Sequence, residues 1–233
     1  AALAGAAIGW LFSLSITRAG ANMIVAGLGL NILVAGVLGF VLSWMYRSSG
    51  TLRLPDVALL PKILPTGLEV VPLFGPALAA LDPLTLLAWM TVGALPFVLA
   101  STRIGLWIRA TGNASEMARS VGLQHLTIQD FTTTCAGFFS GLAGAHLALV
   151  SLGLFNEGLT AGRGFIALAA FYFGRDRPVT TAFACLLFGA LEAAQIRLQL
   201  EGLPPKLIGM LPYVMVLIAL VVASIQAQKK ESA

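Results

Sequence analysis

The stretch Ala19–Tyr46 reads AGANMIVAGLGLNILVAGVLGFVLSWMY, and its 28 residues include no Asp, Glu, Lys or Arg. A helix needs about 20 residues to cross a hydrocarbon core of about 30 Å. Because lipid offers the backbone no hydrogen-bonding partners, only helices and closed barrels span a membrane. Barrel strands alternate in polarity over about ten residues, whereas this run is continuously apolar. The stretch therefore predicts a transmembrane helix.

The composition of the whole chain has the same character. Of its 233 residues, 58% are apolar and 10% are charged, with a net charge of +4, and the mean hydropathy is +0.91. Soluble domains are about a quarter charged, so these figures exclude a soluble domain, a disordered chain and a collagen. The basic residues are scattered singly between apolar runs, which excludes a nucleic-acid interface.

Other charge-free stretches predict an all-α, polytopic transmembrane helix bundle over residues 1–233. The chain begins inside an apolar segment that lacks the basic region of a signal peptide, so we expect an N-terminally truncated protein whose earlier spans are missing. The bundle should have about six spans plus one broken or re-entrant crossing. The predicted spans are 3–17, 23–46, 84–102, 129–151, 179–200 and 207–227.

The basic residues beside the span ends favour one orientation. Lys and Arg are in excess in cytoplasmic loops, so the side with more of them should be cytoplasmic. That side carries Arg18, Arg103, Arg109, Arg119, Arg175, Arg177, Lys229 and Lys230, whereas the other carries Arg47, Arg53, Lys62 and Lys206. The extracytoplasmic loop 47–83 is rich in proline, and it is either a lid over an entry path or a loop packed on the bundle.

The alternation of spans requires a return crossing between residues 152 and 178. Only Gly164–Gly174 is free of charge there, and eleven residues are too few for a helical span. Irregular backbone at membrane depth is tolerated where protein or a water-filled cavity satisfies it. We therefore expect a broken crossing over 154–174, and this is the first place to look for function.

Polar side chains within spans are candidates for a solute path, because lipid penalises unpaired polar groups. A structural hydrogen bond to another helix and a place on the path both remain open for Asn31. Around the broken crossing, polar groups can meet solute hydroxyls, or Glu157 can pair with Arg163 at the outer rim. The candidate path residues are Asn31, Asn156, Glu157, Thr160, Arg163, Phe165, Glu192, Gln195 and Gln199.

Three further features have both a structural and a functional interpretation. Phe165 can stack on a base or a sugar face, or simply pack. His146 is either a proton relay or a polar residue hydrogen-bonded to a neighbouring helix. The GxxxG pairs Gly5–Gly9 and Gly137–Gly141 predict close helix contacts. No metal site is expected, since the histidines and cysteines lack ligand spacing.

The cytoplasmic segment 103–130 contains a helix signal at its centre. Asn113 and Glu116 have the spacing of a helix cap, and Gly122 is placed as a C-terminal stop. The helix between them should place Met117, Ala118 and Val121 on one apolar face. Because isolated helices this short are unstable in water, it should rest on its own bundle, on the headgroups or on a cytoplasmic partner.

The run Arg109–Gly122, RATGNASEMARSVG, resembles the coupling-helix segment of ABC importer permeases of the ribose, nucleoside and branched-chain amino acid group. Four other segments are similar to the nucleoside and simple-sugar branch. These are Leu28–Asn31, the Pro-rich Val71–Pro76, Leu159–Ala170 with Phe173-Gly174, and Met210–Tyr213. The resemblance covers essentially the whole chain.

The resemblance implies a multi-pass permease of the bacterial inner membrane that moves a nucleoside or simple sugar inward. It also implies ABC ATPase subunits, a second permease in a homo- or heterodimer, and an extracytoplasmic binding protein of the basic-membrane-protein lipoprotein type. A coupling helix at 109–122 would contact the ATPase through Asn113, Glu116, Met117, Ala118, Arg119, Val121 and Gly122.

ATP and Mg are expected on the partner ATPase, with no cofactor and no enzymatic activity on this chain. Its four lysines follow Pro61, Pro205, Gln228 and Lys229, so it has no Gly-Lys-Ser/Thr phosphate loop. The alternative is a secondary transporter or channel for a small polar solute, which usually needs intramembrane ionisable groups. An intramembrane hydrolase is disfavoured, since neither GxSxG nor HExxH occurs.

Overall fold

The computed structural model describes residues 1–46, 51–52, 82–156, 158–174, 177–200 and 214. Nearly all of them are helical. The helices are α1 (Ala2–Thr17), α2 (Met23–Tyr46), α3 (Pro83–Ser101), α4 (Arg103–Asn113), α5 (Ser115–Ser120), α6 (His125–His146), a π-helix (Leu147–Leu152), α7 (Arg163–Phe173) and α8 (Pro178–Leu200). Two short antiparallel strands, β1 (Thr51–Leu52) and β2 (Phe155–Asn156), pair with each other. The all-α, polytopic architecture is confirmed.

Four segments of the described chain are long and apolar enough to cross a membrane. They are Met23–Tyr46, Pro83–Ser101, His125–Val150 and Pro178–Leu198, whereas α1 and α7 are shorter apolar helices. Large apolar side chains cover their surfaces, and Ile24, Ile32 and Trp44 on α2 are each 73% exposed. Such exposure suits helices that face lipid. The predicted span 207–227 and most of the loop 47–83 lie outside the described residues.

The chain forms two compact units. The first comprises Ala1–Thr91 and Phe97–Leu159, and the second comprises Val92–Pro96 and Thr160–Ala233. Local sequence signals explain several boundaries in the first unit. The Asn22 side chain accepts hydrogen bonds from the amides of Ile24 and Val25, at 2.9 and 3.4 Å, and so begins α2. Pro83 stands at the start of α3, where a missing amide hydrogen does no harm.

Within the first unit, α1 packs lengthwise against α6. A Cβ atom at Gly5 would lie 2.8 Å from the Cα of Gly141, and one at Gly9 would lie 3.0 Å from the Cα of Gly137. The two GxxxG pairs therefore face each other, and their lack of side chains allows the backbones to touch. The predicted close contact is confirmed. The structure adds that the two motifs are partners.

Within the second unit, α7 and α8 form a helical hairpin. Its buried centre consists of Ala169 and Ala170 on α7 with Ala184 and Phe188 on α8. The chain at Gly174 lies close to the first turn of α8, because a Cβ atom at Gly174 would lie 2.6 Å from the Cα of Thr181. α7 has eleven residues and covers most of the charge-free run Gly164–Gly174, so this run is helical although it is too short for a full span. Its role as part of a broken crossing stays a prediction.

Candidate functional site

The segment 103–130, which the sequence predicts to be cytoplasmic, begins with a sharp corner between α3 and α4. Thr102 has extended backbone angles, and its hydroxyl accepts a hydrogen bond from the amide of Gly105 at 3.1 Å. Gly105 is buried, and a Cβ atom there would lie 2.5 Å from the Cα of Leu99. Only glycine fits this approach of α4 to the last turn of α3. The corner is therefore fixed by a cap and a close backbone contact.

The prediction that Asn113 caps the coupling helix is wrong. Asn113 is the last residue of α4, and Ala114 is the non-helical residue between α4 and α5. The Thr102 cap starts a helix earlier than expected, and that helix extends through Asn113. α5 then contains six residues, and no side chain caps its N-terminus. The polar residues of the capping-box pattern are therefore divided between two helices.

The predicted stop at Gly122 is confirmed. Gly122 has a φ of +83°, in the left-handed region that glycine occupies most readily. Its amide donates to the carbonyl of Arg119 at 3.0 Å, and the amide of Leu123 donates to the carbonyl of Ala118 at 3.0 Å. This pair of bonds is a Schellman motif. It satisfies carbonyls that the end of α5 would otherwise leave free.

The side chains of α5 divide into one that anchors the helix and others that point away from the chain. Ala118 is 4% exposed, whereas Met117 and Val121 are 72% and 80% exposed. The expectation of one shared apolar face is thus only partly met, because Ala118 packs inward and its two neighbours project outward. Glu116 and Arg119 are exposed as well. Two large apolar side chains therefore project from a short helix that packs on α4 and α6.

A surface pocket lies beside this helix. Its volume is about 440 Å³, and it is lined by Arg119, Gln124, His125, Leu126 and Thr127. These residues come from the end of α5 and the start of α6, so the pocket lies where the short helix meets a long one. None of its lining residues apart from Arg119 belongs to the sequence-predicted contact set.

The irregular stretch that follows α6 has several unusual backbone features. α6 continues into a π-helix, which ends at Gly153 with a φ of +61°. After β2, Ala161 and Gly162 have φ values of +41° and +80°. Single-turn π-segments occur often at functional sites, and positive φ is uncommon for alanine. The sequence predicts that part of the crossing over 154–174 is non-helical, and the described residues are non-helical from Gly153 to Gly162.

The structure brings two of the predicted path residues together. Arg163 on α7 donates to Glu192 on α8, with distances to Oε1 of 3.0 Å from Nε and 2.5 Å from Nη2. The two side chains are 38% and 36% exposed. Gln195 is half-buried one turn further along α8. Glu157 and the side chain of Gln199 lie outside the described residues, so the alternative Glu157–Arg163 pair stays a prediction.

The other predicted path residues do not form one cluster in the described chain. Asn31 is exposed on α2 and makes no side-chain hydrogen bond to the described residues. The side-chain amide of Asn31 therefore needs a hydrogen-bonding partner from outside the described residues. The Oδ1 atom of Asn156 on β2 is buried without a hydrogen bond from the described residues. Thr160 is exposed, and Phe165 is 73% exposed.

Sequence reasoning missed a polar cluster at the junction of α3 and α6. We call Asp82, Thr85 and His146 the Asp82 cluster. The Thr85 hydroxyl donates to Oδ1 of Asp82, and Nε2 of His146 lies 3.3 Å from the Thr85 hydroxyl and 3.6 Å from Oδ2 of Asp82. Of the two interpretations of His146, the structure thus shows the hydrogen bond to a neighbouring helix. The sequence signal that could have indicated this cluster is an Asp residue directly before a span that begins with proline.

The environment of Asp82 favours its charged form. Burial acts to raise the pKa of the Asp82 carboxyl group, but the hydrogen bond from the Thr85 hydroxyl, the nearby backbone amides and His146 together outweigh burial. The pKa therefore lies below its usual value. The carboxylate is ionised at neutral pH.

A second missed carboxylate joins α1 to α6. Asp130 accepts hydrogen bonds on Oδ1 from the hydroxyl of Ser13 at 2.5 Å and from that of Thr17 at 3.0 Å. Ser13 is 1% exposed. These hydrogen bonds join α1 to α6 at one end of the contact between the two GxxxG pairs. Nowhere in the described part of the chain do three His, Cys, Asp or Glu residues form a group that could hold a metal.

A family model supports the resemblance. Residues 1–220 match the model described as branched-chain amino acid transport system, permease component. No solved structure matches the chain.

Three curated relatives span most of the chain. A putative glucose ABC transporter permease protein of Haloferax volcanii is 33% identical over 76% of the chain and 53% of its own length. A guanosine ABC transporter permease protein of Bacillus subtilis is 29% identical over 94% of the chain and 70% of its own length. A nucleoside ABC transporter permease protein of Lactococcus lactis is 31% identical over 94% and 71%, respectively. The chain thus spans about half the length of the first relative.

Proposed function

This chain belongs to the family of permease components of branched-chain amino acid transport systems, and on that premise we propose that it is the membrane-spanning permease subunit of an ABC importer. It moves a nucleoside or simple sugar inward across a bacterial inner membrane. ATP hydrolysis on a partner subunit drives the movement. The solute class rests on the relatives, which are named for glucose, guanosine and nucleoside transport.

The observation that carries this proposal is the pair of projecting side chains of Met117 on α5 and Val121 at its C-cap. Exposed apolar side chains on a short polar helix lose their contact with water when a partner covers them. The 72% and 80% exposed Met117 and Val121 would fill an apolar recess of the ATPase subunit. Arg119 beside them would meet an acidic rim. Ala118 and the Schellman motif hold this surface in place on the permease side.

The packing around α5 also supports transmission of force into the spans. α5 contacts α4 and α6, and α4 is fixed to α3 at the Gly105 corner. A push on α5 would therefore reach two membrane-spanning helices through direct contacts. Rigid elements that pivot about fixed corners are a common means of conformational change. We infer that α5 couples nucleotide-driven closure to the bundle.

The remaining partners follow from the same proposal. An extracytoplasmic binding protein delivers the solute, and a second permease completes the path as an identical or a different subunit. The exposed amide of Asn31 is consistent with a covering subunit, because an amide within a span needs a hydrogen-bonding partner. ATP and Mg belong to the ATPase subunits.

The test is a charge placed on the projecting surface. Met117→Asp and Val121→Asp should each lower ATP-driven uptake and solute-stimulated ATPase activity at least about tenfold, because a carboxylate at an apolar contact is left without a partner. Ser115→Asp adds the same charge to an exposed position elsewhere on α5 and should have little effect. Uptake and ATPase activity are measured with the full complex in proteoliposomes.

Two outcomes would contradict the proposal. One is unchanged uptake in both Asp variants when the amount of inserted protein equals that of the unmodified chain. The other is uptake that ignores ATP and collapses with an ionophore, which indicates a gradient-driven transporter instead.

A further inference from the structure

One carboxylate oxygen in the Asp82 cluster is buried without a hydrogen bond from the described residues. Asp82 is 3% exposed, and its Oδ1 accepts a hydrogen bond from Thr85. Its Oδ2 is buried and accepts no hydrogen bond from the described residues. The nearest imidazole nitrogen, Nε2 of His146, is 3.6 Å away, which is too long for a hydrogen bond. A buried carboxylate oxygen in this condition is rare, because buried polar groups are nearly always paired.

The geometry around this oxygen specifies the missing partner. Thr85 uses its hydroxyl hydrogen on Oδ1, so the bond at 3.3 Å between Thr85 and His146 has the imidazole nitrogen as donor and the hydroxyl as acceptor. That bond directs the imidazole hydrogen away from Oδ2. An ionised carboxylate only accepts hydrogen bonds. The missing partner is therefore a donor, such as a hydroxyl or an N–H group.

The position of the cluster associates it with the solute path. Asp82 precedes the first residue of α3, and His146 is the last residue of α6 before the π-helix. In the orientation that the basic residues favour, both lie at the extracytoplasmic ends of their spans. Asp82 is buried, whereas Thr85 is partly exposed and 36% of the His146 side chain is exposed. A shift of its imidazole would uncover Oδ2 from the exposed side.

We propose that the Asp82 cluster is a solute-recognition subsite, in which Oδ2 of Asp82 accepts a hydrogen bond from a hydroxyl or N–H group of the transported solute. Thr85 positions the carboxylate, and His146 covers it when no solute is present. The inference rests on the proposed function, since it names a contact for the solute of that importer. Neutral polyhydroxyl solutes and nucleobases both supply the required donor. A charged hydrogen bond of this kind also discriminates strongly against a solute that lacks the donor.

The experiment pairs a protein variant with solute analogues. Uptake by the full complex is measured for the natural solute and for a panel of analogues that each lack one hydroxyl or N–H donor. For the unmodified chain, one analogue should have a KM about tenfold higher than the others, because it cannot make the charged hydrogen bond. In Asp82→Asn, the KM of the natural solute should rise close to that of this analogue, whereas the KM of the analogue itself should not change.

Asp130→Asn is the matched control, because it removes the charge from a carboxylate bonded by Ser13 and Thr17 in the same unit. This variant should change the KM of the natural solute and of every analogue by the same factor. Thr85→Ala, which leaves the carboxylate but removes its positioning bond, should weaken the same single-analogue preference by a few-fold. The amount of folded complex is measured by gel filtration for each variant, so that a folding defect is separated from a change in recognition.

Two results would overturn the inference. One is an Asp82→Asn variant whose KM rises by the same factor for every analogue, which makes the cluster a structural tie between α3 and α6. The other is an Asp82→Asn variant in which the ratio between the KM of the analogue and the KM of the natural solute is unchanged. Both are read from relative KM values, so they are distinct from a failure of the proposed function, which would show as uptake that does not depend on ATP.

Discussion

The α1–α6 pair and the α7–α8 pair both join apolar helices, but different groups make the two contacts. Between α1 and α6, glycines face glycines, and a Cβ atom at Gly137 would lie 2.9 Å from the Cα of Gly9. Between α7 and α8, alanines and Phe188 fill the centre, and the Arg163–Glu192 ion pair bridges the helices.

The difference shows two solutions to one physical problem. Lipid does not drive apolar helices together, so association depends on close packing or on polar bonds. The α1–α6 contact relies on backbone approach, with the Asp130 bonds at one end. The α7–α8 contact relies on small side chains together with a charge pair. The first should therefore be sensitive to added volume, and the second to lost charge.

The largest effect is expected from Gly137→Leu. A leucine side chain would overlap the backbone of α1, so the helices must separate or fail to pair. We expect a loss of about 3 kcal/mol or more in the free energy of unfolding, at or above the upper end for overpacked sites. Unfolding in detergent, followed by helix content, measures it. Gly144→Leu is the control on the same helix, since a Cβ atom there meets nothing within 4 Å among the described residues. Equal losses in both variants would contradict a steric contact between α1 and α6.

A smaller effect is expected from the ion pair. Arg163→Ala and Glu192→Ala should each lower the free energy of unfolding by about 1 kcal/mol, because each removes the ion pair between two partly exposed side chains. The double variant should lose less than the sum of the two, and Arg163→Glu with Glu192→Arg should recover part of the loss. Thermal unfolding of the purified protein measures this coupling. Strict additivity would mean that the pair contributes nothing to the hairpin.

The smallest effect is expected from Ser13→Ala. The change removes one hydrogen bond to Asp130, while Thr17 still donates to the same oxygen. We expect a loss of about 0.5 kcal/mol, at the lower end for one hydrogen bond, because Asp130 keeps its second donor. Ser140→Ala, at an exposed position on α6, should be close to neutral in the same unfolding measurement. A loss as large as that of Gly137→Leu would show that the polar bonds, rather than the glycines, dominate the α1–α6 contact.

The candidate site was only partly predictable from the sequence. The short helix, the apolar residues Met117 and Val121, and the stop at Gly122 follow from local pattern. The start of the helix does not, because Thr102 and Gly105 begin α4 eleven residues before Asn113 and absorb that residue into it. Asp82 escaped notice because its significance comes from His146, which lies 64 positions later.

The sequence by itself determined the class of molecule, the approximate positions of the long spans that the structure describes and the presence of a short helix before Gly122. Length, charge and hydropathy are local properties, and a membrane acts on each segment separately. Only the tertiary structure decided that Gly5 and Gly9 face Gly137 and Gly141, that Arg163 pairs with Glu192, and that Oδ2 of Asp82 is buried without a hydrogen bond from the described residues. Each of these depends on the distance between residues far apart in the chain, which packing sets and local pattern does not encode.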